Sequence, residues 1–386
     1  MKINLLVPEK IAGKIVLVRA DFNVPLKNGE ITEKTRLEES LPTIKFLLEN
    51  GAKRIHLLSH LGRPKGQVVS ELSLKPVADE LSKMLGEKVE FRGNFTVGES
   101  KIQLHENVRF YPGEKKNNPE FSAKILNETG AEVFVNDGFA VSHRAHASVV
   151  GFAGKIPCLA GKLMEKEIEN LSPFLSKEKI AGLTVIIGGA KMETKTAVLK
   201  HFAETAENII IGGALANTFL VAKGFNVGES LYEEDEIKTA QEVLELAEIN
   251  KTGIHLPIDV QCAENPDSES LYFPVEDVTG SLKIFDIGPH TIASFREIIV
   301  HSKVIMWNGP IGFFEKSPFD TGTEAVSREI MKNKSAKTVL GGGDTLAALK
   351  KFGIAKSEFT HVSTGGGAML EFLEGKELPG IEILKS

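Results

Sequence analysis

Lys162-Leu163-Met164-Glu165-Lys166-Glu167-Ile168-Glu169-Asn170-Leu171 divides the chain into two dissimilar halves. Met164, Ile168, Leu171 and Leu175 recur at spacings of four, three and four. That is one apolar stripe on a helix, with charges on the other faces. Pro173 does not suit a helix interior, so a kink or restart is predicted there, with Ser172 as a new cap. Before this helix, apolar strands end in Arg, His, Asp and Asn; after it, they end in double and triple glycines. The helix therefore reads as a bridge between two α/β halves that bind different things. The competing reading is a surface helix inside one large domain. It is disfavoured by the 386 residues, because single cores stop growing at ~250–300 residues.

Composition sets the outer limits. Apolar content of 42% and charged content of 25% are those of a globular, water-soluble chain. With 46 basic and 52 acidic residues the formal charge is −6, which does not suit a general nucleic-acid binder. Any anion site must be a local pocket. Cys158 and Cys262 are far apart and lack metal-binding spacing, which suits a reducing compartment. The first ten residues do not have the form of a signal peptide, and no apolar run reaches membrane-span length. The expectation is a cytoplasmic protein with neither nucleic acid nor membrane as partner.

In the first half, Ile15-Val16-Leu17-Val18-Arg19-Ala20-Asp21-Phe22-Asn23-Val24-Pro25 is a buried strand running into polar residues. In open parallel sheets that carboxyl edge is where ligands bind. Leu37, Leu41, Ile44, Leu47 and Leu48 then give a helical period, closed at Asn50-Gly51. Arg36 falls in its first turn, the wrong end for a cation by dipole logic unless an anion lies close. Further strands lead into Ser59-His60-Leu61-Gly62-Arg63-Pro64, Glu106-Asn107-Val108-Arg109 and His143-Arg144-Ala145-His146. Helices predicted over 74–85 and 121–126 separate them. Alternating strand and helix imply a parallel sheet with right-handed crossovers. A single Arg or His at a strand end is most often an ordinary surface residue. Recurrence at one sheet edge describes a pocket for a small, highly anionic molecule, since Arg presents a planar fork to phosphate or carboxylate. No aromatics are interleaved for base stacking.

In the second half, short apolar strands run into Gly188-Gly189-Ala190-Lys191, Gly212-Gly213-Ala214, Trp307-Asn308-Gly309-Pro310, Gly341-Gly342-Gly343-Asp344-Thr345 and Ser363-Thr364-Gly365-Gly366-Gly367-Ala368. Glycine at a strand-to-helix turn lets backbone approach a ligand, and the following helix aims free N–H groups at it. One such turn is ordinary packing; their recurrence indicates a phosphate-rich ligand. Asp344 is a candidate magnesium ligand and equally a helix N-cap. Neither G-x-x-x-x-G-K-[ST] nor G-x-G-x-x-G is present, so no P-loop or dinucleotide fold is indicated.

Taken in order, these motifs together resemble phosphoglycerate kinase over essentially the whole chain. The fold class implied is α/β: two Rossmann-like three-layer domains with parallel sheets, joined by a helix and separated by a deep interdomain cleft. The expected boundaries are 1–161 for a phosphoglycerate-binding domain, 162–176 for the linker helix and 177–370 for a nucleotide-binding domain. The segment 371–386 is expected to pack back on the first. The activity implied is reversible phosphoryl transfer from 1,3-bisphosphoglycerate to MgADP, giving 3-phosphoglycerate and ATP by hinge closure, in a monomer. The resemblance assigns phosphoglycerate to Asp21, Asn23, Arg36, His60, Arg63, Arg109 and Arg144. It assigns the nucleotide to Gly189, Lys195, Gly213, Asn308, Glu315, Gly342, Gly343, Asp344 and Thr345, with Mg²⁺ on Asp344. Arg36, Lys191, Gly343, Gly365 and Gly366 would stabilise the transferring group. Three stretches depart from the family pattern: Met192-Glu193-Thr194, Gly138-Phe139-Ala140-Val141 and Phe313-Phe314-Glu315. The chemistry suits the inventory, because a phosphate oxygen is already ionised and needs no general base. A non-catalytic two-lobed binding protein for an anionic metabolite would need neither Asp344 nor a nucleotide pocket.

Overall fold

The computed structural model describes residues 2–385. They form two compact units: the chain up to Glu169 together with the segment from Lys376, and Asn170–Gly375.

The first unit contains β1 (Ile15–Arg19), β2 (Leu26–Lys27), β3 (Glu30–Ile31), β4 (Arg54–Leu58), β5 (Val89–Arg92), β6 (Ile102–His105), β7 (Val133–Asn136) and β8 (Cys158–Ala160). β2 and β3 form a small hairpin turned at Asn28-Gly29, both at positive φ as such a turn requires. The other strands make one parallel sheet in the order β5-β6-β4-β1-β7-β8. Alternation along the strands explains the layers. Val16, Val18, Ile55, Leu57, Leu104 and Val135 share a core with Leu37, Ile44 and Leu47 of the helix Thr35–Glu49 and with Val77 and Leu81 of the helix Lys75–Leu85. Leu17, Leu58 and Phe134 point the other way and are also buried, with the Phe134 ring 4.8 Å from that of Phe152. Both faces are covered, hence the near-continuous apolar runs. Strand order reverses at β1, which places a ligand crevice beyond the carboxyl ends of β1 and β7.

His56 and His105 sit buried on this second face, stacked with their centroids 5.0 Å apart. His105 Nδ1–H donates to the Asn94 carbonyl at 2.6 Å, so its Nε2 accepts from His56 Nδ1 at 2.8 Å. Burial pushes His56 down to about 3 and His105 to about 4. In the unfolded chain both would protonate near 6.5, so stability falls as the pH drops from 6.5 towards 4, by up to about 1.4 kcal/mol per pH unit for each histidine. Hydrogen exchange at β4 and β6 should therefore show the wild type losing protection on acidification relative to a His56→Leu, His105→Met double variant. Parallel pH dependence in the two proteins would contradict a neutral pair.

The bridge helix spans Lys162–Leu171, and Met164, Ile168 and Leu171 are buried as their spacing predicts. Thr43 Oγ1 accepts from Lys162 N at 2.7 Å and Asp137 Oδ1 from Leu163 N at 3.0 Å, which satisfies free donors at its start. The restart at Pro173 is a 3₁₀ turn over Ser172–Leu175, with Leu171 rather than Ser172 in the cap position. The tighter turn carries Phe174 inward, 2% exposed, and leaves Leu175 only half-buried. The final segment ties back to the first unit. Asn4 N donates to Leu384 O at 2.7 Å, Asn136 Nδ2 to Gly380 O at 2.8 Å and Gly380 N to Ser142 O at 2.8 Å.

The second unit contains β9 (Leu183–Ile187), β10 (Asn208–Ile211), β11 (Gly253–His255), β12 (Asp259–Ala263), β13 (Leu271–Pro274), β14 (Lys283–Ile287), β15 (Val304–Asn308), β16 (Lys337–Gly341) and β17 (His361–Val362). A parallel sheet runs β11-β10-β9-β15-β16-β17. Ile186, Ile210, Ile305, Trp307 and Leu340 pack on Phe295 and Ile299 of the helix Pro289–His301 and on Val326 and Ile330 of the helix Thr321–Lys332. A separate antiparallel sheet, β13-β12-β14, has its own small core of Leu220, Val227, Val260, Cys262, Val275 and Val278. The order of the main sheet reverses at β9, so the crevice lies beyond the carboxyl ends of β9 and β15. Among the described residues no helix is long and apolar enough to cross a membrane.

Candidate active site

In the first unit, Arg19 at the end of β1 is fully buried. Its Nε donates to Ser148 Oγ at 2.9 Å and its Nη1 to the Ala20 carbonyl, while Nη2 lies 3.1 Å from His60 Nδ1. Arginine only donates, so His60 Nδ1 is the acceptor and the ring hydrogen sits on Nε2. Ser148 passes the connection on: its Oγ and N donate to the Glu114 carboxylate at 2.6 and 2.9 Å. Arg36, in the first turn of its helix, is ion-paired with Asp21. The anion that justifies a cation at that helix end is thus in place before any ligand. Asp21 Oδ1 also accepts from Asn23 N at 3.1 Å, and Asn23 Oδ1 accepts from Gly62 N at 2.8 Å. Arg109 Nη1 donates to the Gly62 carbonyl at 2.8 Å. The loop carrying His60 and Arg63 is therefore held by side chains from two other strand ends.

The electrostatics are one-sided. Burial, then the neighbouring Arg19, lowers Arg109 to about 10, and Arg144 and Arg63 push in the same direction. His60 is held well below its ordinary value by burial, then by Arg19, Arg109 and Arg36. His146 falls to about 4 by burial, then by Arg109, Arg19 and Arg144. Both histidines are neutral near pH 7. The cluster is short of negative charge, and an incoming polyanion would relieve that repulsion. The structure ties Asp21, Asn23, Arg36 and Arg109 together around Gly62, and sets His60, bonded to Arg19, 3.7 Å from Asp21 Oδ1. Arg63 and Arg144 are exposed, with no ion pair among the described residues. Sequence reading missed Glu114 and Ser148; the Pro112–Lys115 turn bears no motif, and only the tertiary fold sets it beside Arg19.

In the second unit a cavity of about 400 Å³ opens where β9, β15, β16 and β17 end. Gly189, Lys191, Lys195, Asn308, Gly342, Gly343, Asp344, Thr345 and Gly366 all line it. Thr345 Oγ1 accepts from Gly309 N at 2.7 Å and Asn308 Nδ2 donates to Gly341 O at 3.0 Å, which ties the β15 turn to the start of the helix Gly343–Lys351. Gly342 caps that helix at φ +102°, a conformation that favours glycine, and a side chain there would press on Asn308. Gly342 holds the cap position, so Asp344 is left in the first turn with its carboxylate at the cavity. Lys195 is buried, its Nζ donates to the Gly188 carbonyl, and burial lowers it to about 8 although Asp344 acts in the opposite sense.

Three expected residues lie apart from the cavity wall. Gly213 abuts it, since a Cβ there would meet Gly189 N and O at 2.7 Å, but itself lines a small recess with Asn217, Asp286 and Ile311. Gly365 is buried behind the wall, its N–H donating to Ser363 Oγ at 3.0 Å. Glu315 is exposed. Ala190, Thr194, Gly309, Gly367 and Leu370 complete the lining, with no site role assigned to them from the sequence. The divergent Met192 is fully buried and anchors the loop between the two lysines.

A family model for phosphoglycerate kinase matches residues 7–376. The structure is similar to that of phosphoglycerate kinase from Coxiella burnetii, at 40% identity over 97% of each chain with a TM-score of 0.88. It is also similar to phosphoglycerate kinase from Pyrococcus horikoshii OT3, at 34% identity over 97% of this chain and 96% of that one, with a TM-score of 0.81. A match that runs almost end to end in sequence, joined to a shared fold, decides the matter: this chain belongs to the phosphoglycerate kinase family.

Proposed function

We propose that the two units divide the substrates of the family reaction, the first taking the phosphoglycerate and the second the magnesium nucleotide. The reaction is transfer of the acyl phosphoryl group of 1,3-bisphosphoglycerate to ADP, giving 3-phosphoglycerate and ATP. The observation that carries the division is the difference in lining, with arginines and histidines in one unit and glycines, a helix start and lysines in the other. The arginine cluster at the end of β1 suits the carboxylate and phosphate of the glycerate. The glycine-lined cavity, with a helix start and two lysines, suits the phosphates of a nucleotide.

An ADP β-phosphate oxygen attacks the acyl phosphorus. The bond from phosphorus to the acyl oxygen breaks, and the electron pair leaves on the carboxylate of 3-phosphoglycerate. The nucleophile is already ionised, so the protein's task is to position and to neutralise charge. In this reading Arg63, Arg109, Arg144 and His60 hold the glycerate, and Asp21 and Asn23 fix Arg36 and the loop at Gly62. Arg36, Lys191 and the amides near Gly343 and Gly366 meet the migrating group, while the Gly365 amide is already taken by Ser363. Asp344 fits Mg²⁺, which takes one or two carboxylates and completes its shell with phosphates and water. Among the described residues no three metal-ligating side chains cluster, so Asp344 would be the principal protein ligand. When bound with the nucleotide, the ion neutralises phosphate oxygens. ATP formation from ADP and 1,3-bisphosphoglycerate by the folded protein tests the reading, and absence of turnover would sink it.

An acyl phosphate must also be kept from water, and each unit carries the determinants for only one ligand. Closure of the two units on their ligands would supply that exclusion. X-ray scattering should show little change with nucleotide or 3-phosphoglycerate alone and a clear fall in radius of gyration with both. An unchanged radius in the ternary complex would argue against closure.

A further inference from the structure

The loop from β9 to the helix Thr196–Thr205 carries Lys191 and Lys195, yet its tip is held at one point. Ala190, Lys191, Glu193 and Thr194 are exposed, and Met192 alone among them is buried. The Met192 carbonyl accepts from Lys195 N at 2.7 Å and Thr196 N at 3.0 Å, while its N–H donates to the carboxylate of Glu233. Glu233 is itself fixed. Its own N–H donates to Thr218 Oγ1 at 3.2 Å, and Asn217 Nδ2 donates to Leu231 O at 2.9 Å. Both partners belong to the helix Gly213–Ala222, which also holds the other end of the loop through Leu215 N donating to Gly189 O at 2.9 Å. The phosphate-facing loop thus stands between two fixtures of one helix, and Glu233 supplies the second.

We propose that Glu233 is a positioning residue for the phosphoryl transfer: by holding the Met192 N–H it sets where Lys191 and Lys195 meet the nucleotide phosphates. The inference rests on the nucleotide reading of the cavity. A carboxylate suits the task because charge-assisted hydrogen bonds are the strong, directional ones. Lys191 and Met192 are adjacent, so a shift of the Met192 amide moves the lysine backbone directly. Small misplacements of charge-neutralising groups have large effects on phosphoryl transfer.

Steady-state kinetics on Glu233→Ala, Glu233→Gln and Lys191→Ala, with thermal melts, test it. Glu233→Ala is expected to raise the KM for MgADP and MgATP about tenfold and leave the KM for 3-phosphoglycerate unchanged. Glu233→Gln keeps an acceptor oxygen and should return the nucleotide KM to within about twofold of wild type. Adding Glu233→Ala to Lys191→Ala should then do less harm than it does alone, because it acts partly through that lysine. An unchanged nucleotide KM in Glu233→Ala, while Lys191→Ala responds, overturns the inference alone. Equal rises for both substrates with a lowered Tm, or no rescue by glutamine, overturn it too. If Lys191→Ala changes neither the nucleotide KM nor kcat, the reading of the cavity fails and this inference falls with it.

Discussion

Arg36→Ala is expected to lower kcat by roughly 10³-fold, by analogy with other arginines that act on a migrating phosphoryl group. Arg36 stands in the first turn of the helix Thr35–Glu49, paired with Asp21, which is 5% exposed. Asp21 is held in turn by the backbone of Asn23. The guanidinium is therefore aimed before the ligand arrives, and little reorganisation is needed as charge develops. On the proposed reading its interaction peaks in the transition state. Arg63 provides the contrast. It is exposed, unpaired among the described residues, and assigned to the glycerate's own phosphate. That contact is equal before and during transfer, so Arg63→Ala should mainly raise the KM for 3-phosphoglycerate. Arg36→Lys should recover only part of the loss, since an ammonium cannot span two oxygens. Kinetics on the three variants, with circular dichroism to confirm folding, decide the point. If Arg36→Ala changed only KM, Lys191 and the glycine amides would have to neutralise the group alone.

Arg19→Met is expected to destabilise the first unit by about 3–5 kcal/mol, the range for breaking a buried charge set by removing one partner. For a unit of this size that lowers Tm by roughly 10 °C. Methionine replaces much of the volume but none of the bonding. Ser148 Oγ and His60 Nδ1 lose their donor, and Glu114, 0% exposed, loses its buried counter-charge. Adding Glu114→Gln should restore part of the stability, because the two buried charges are then removed together. Differential scanning calorimetry on the single and double variants measures this coupling. A double variant as unstable as the sum of the singles would mean the two charges do not compensate each other.

The reach of sequence reading follows from what is local. Apolar runs ending in glycine pairs or in Arg and His marked the ends of β1, β4, β9, β10, β15, β16 and β17, because period and turn chemistry are written in neighbouring residues. Strand order is not local. Nothing near Asn308 announces that β15 lies beside β9, which is what sets Gly188 N against Asn308 O at 3.0 Å. The antiparallel sheet β13-β12-β14 is not legible because Asp259–Ala263 and Lys283–Ile287 carry polar and charged residues within them and give no glycine-rich ending. The position of Arg36 calls for an anion, and the one present is Asp21, fifteen residues back beyond the end of β1. Glu114, Ser148 and Glu233 carry no motif, and their roles come from tertiary proximity alone.

On the proposed reading the two units hold different ligands. Titration calorimetry of wild type, Arg63→Ala and Asp344→Ala with 3-phosphoglycerate and with MgATP tests it directly. Arg63→Ala should weaken 3-phosphoglycerate and leave MgATP near normal, and Asp344→Ala should do the reverse. Loss of both ligands in either variant, or no change in either, would contradict the division of labour between the arginine cluster and the glycine-lined cavity.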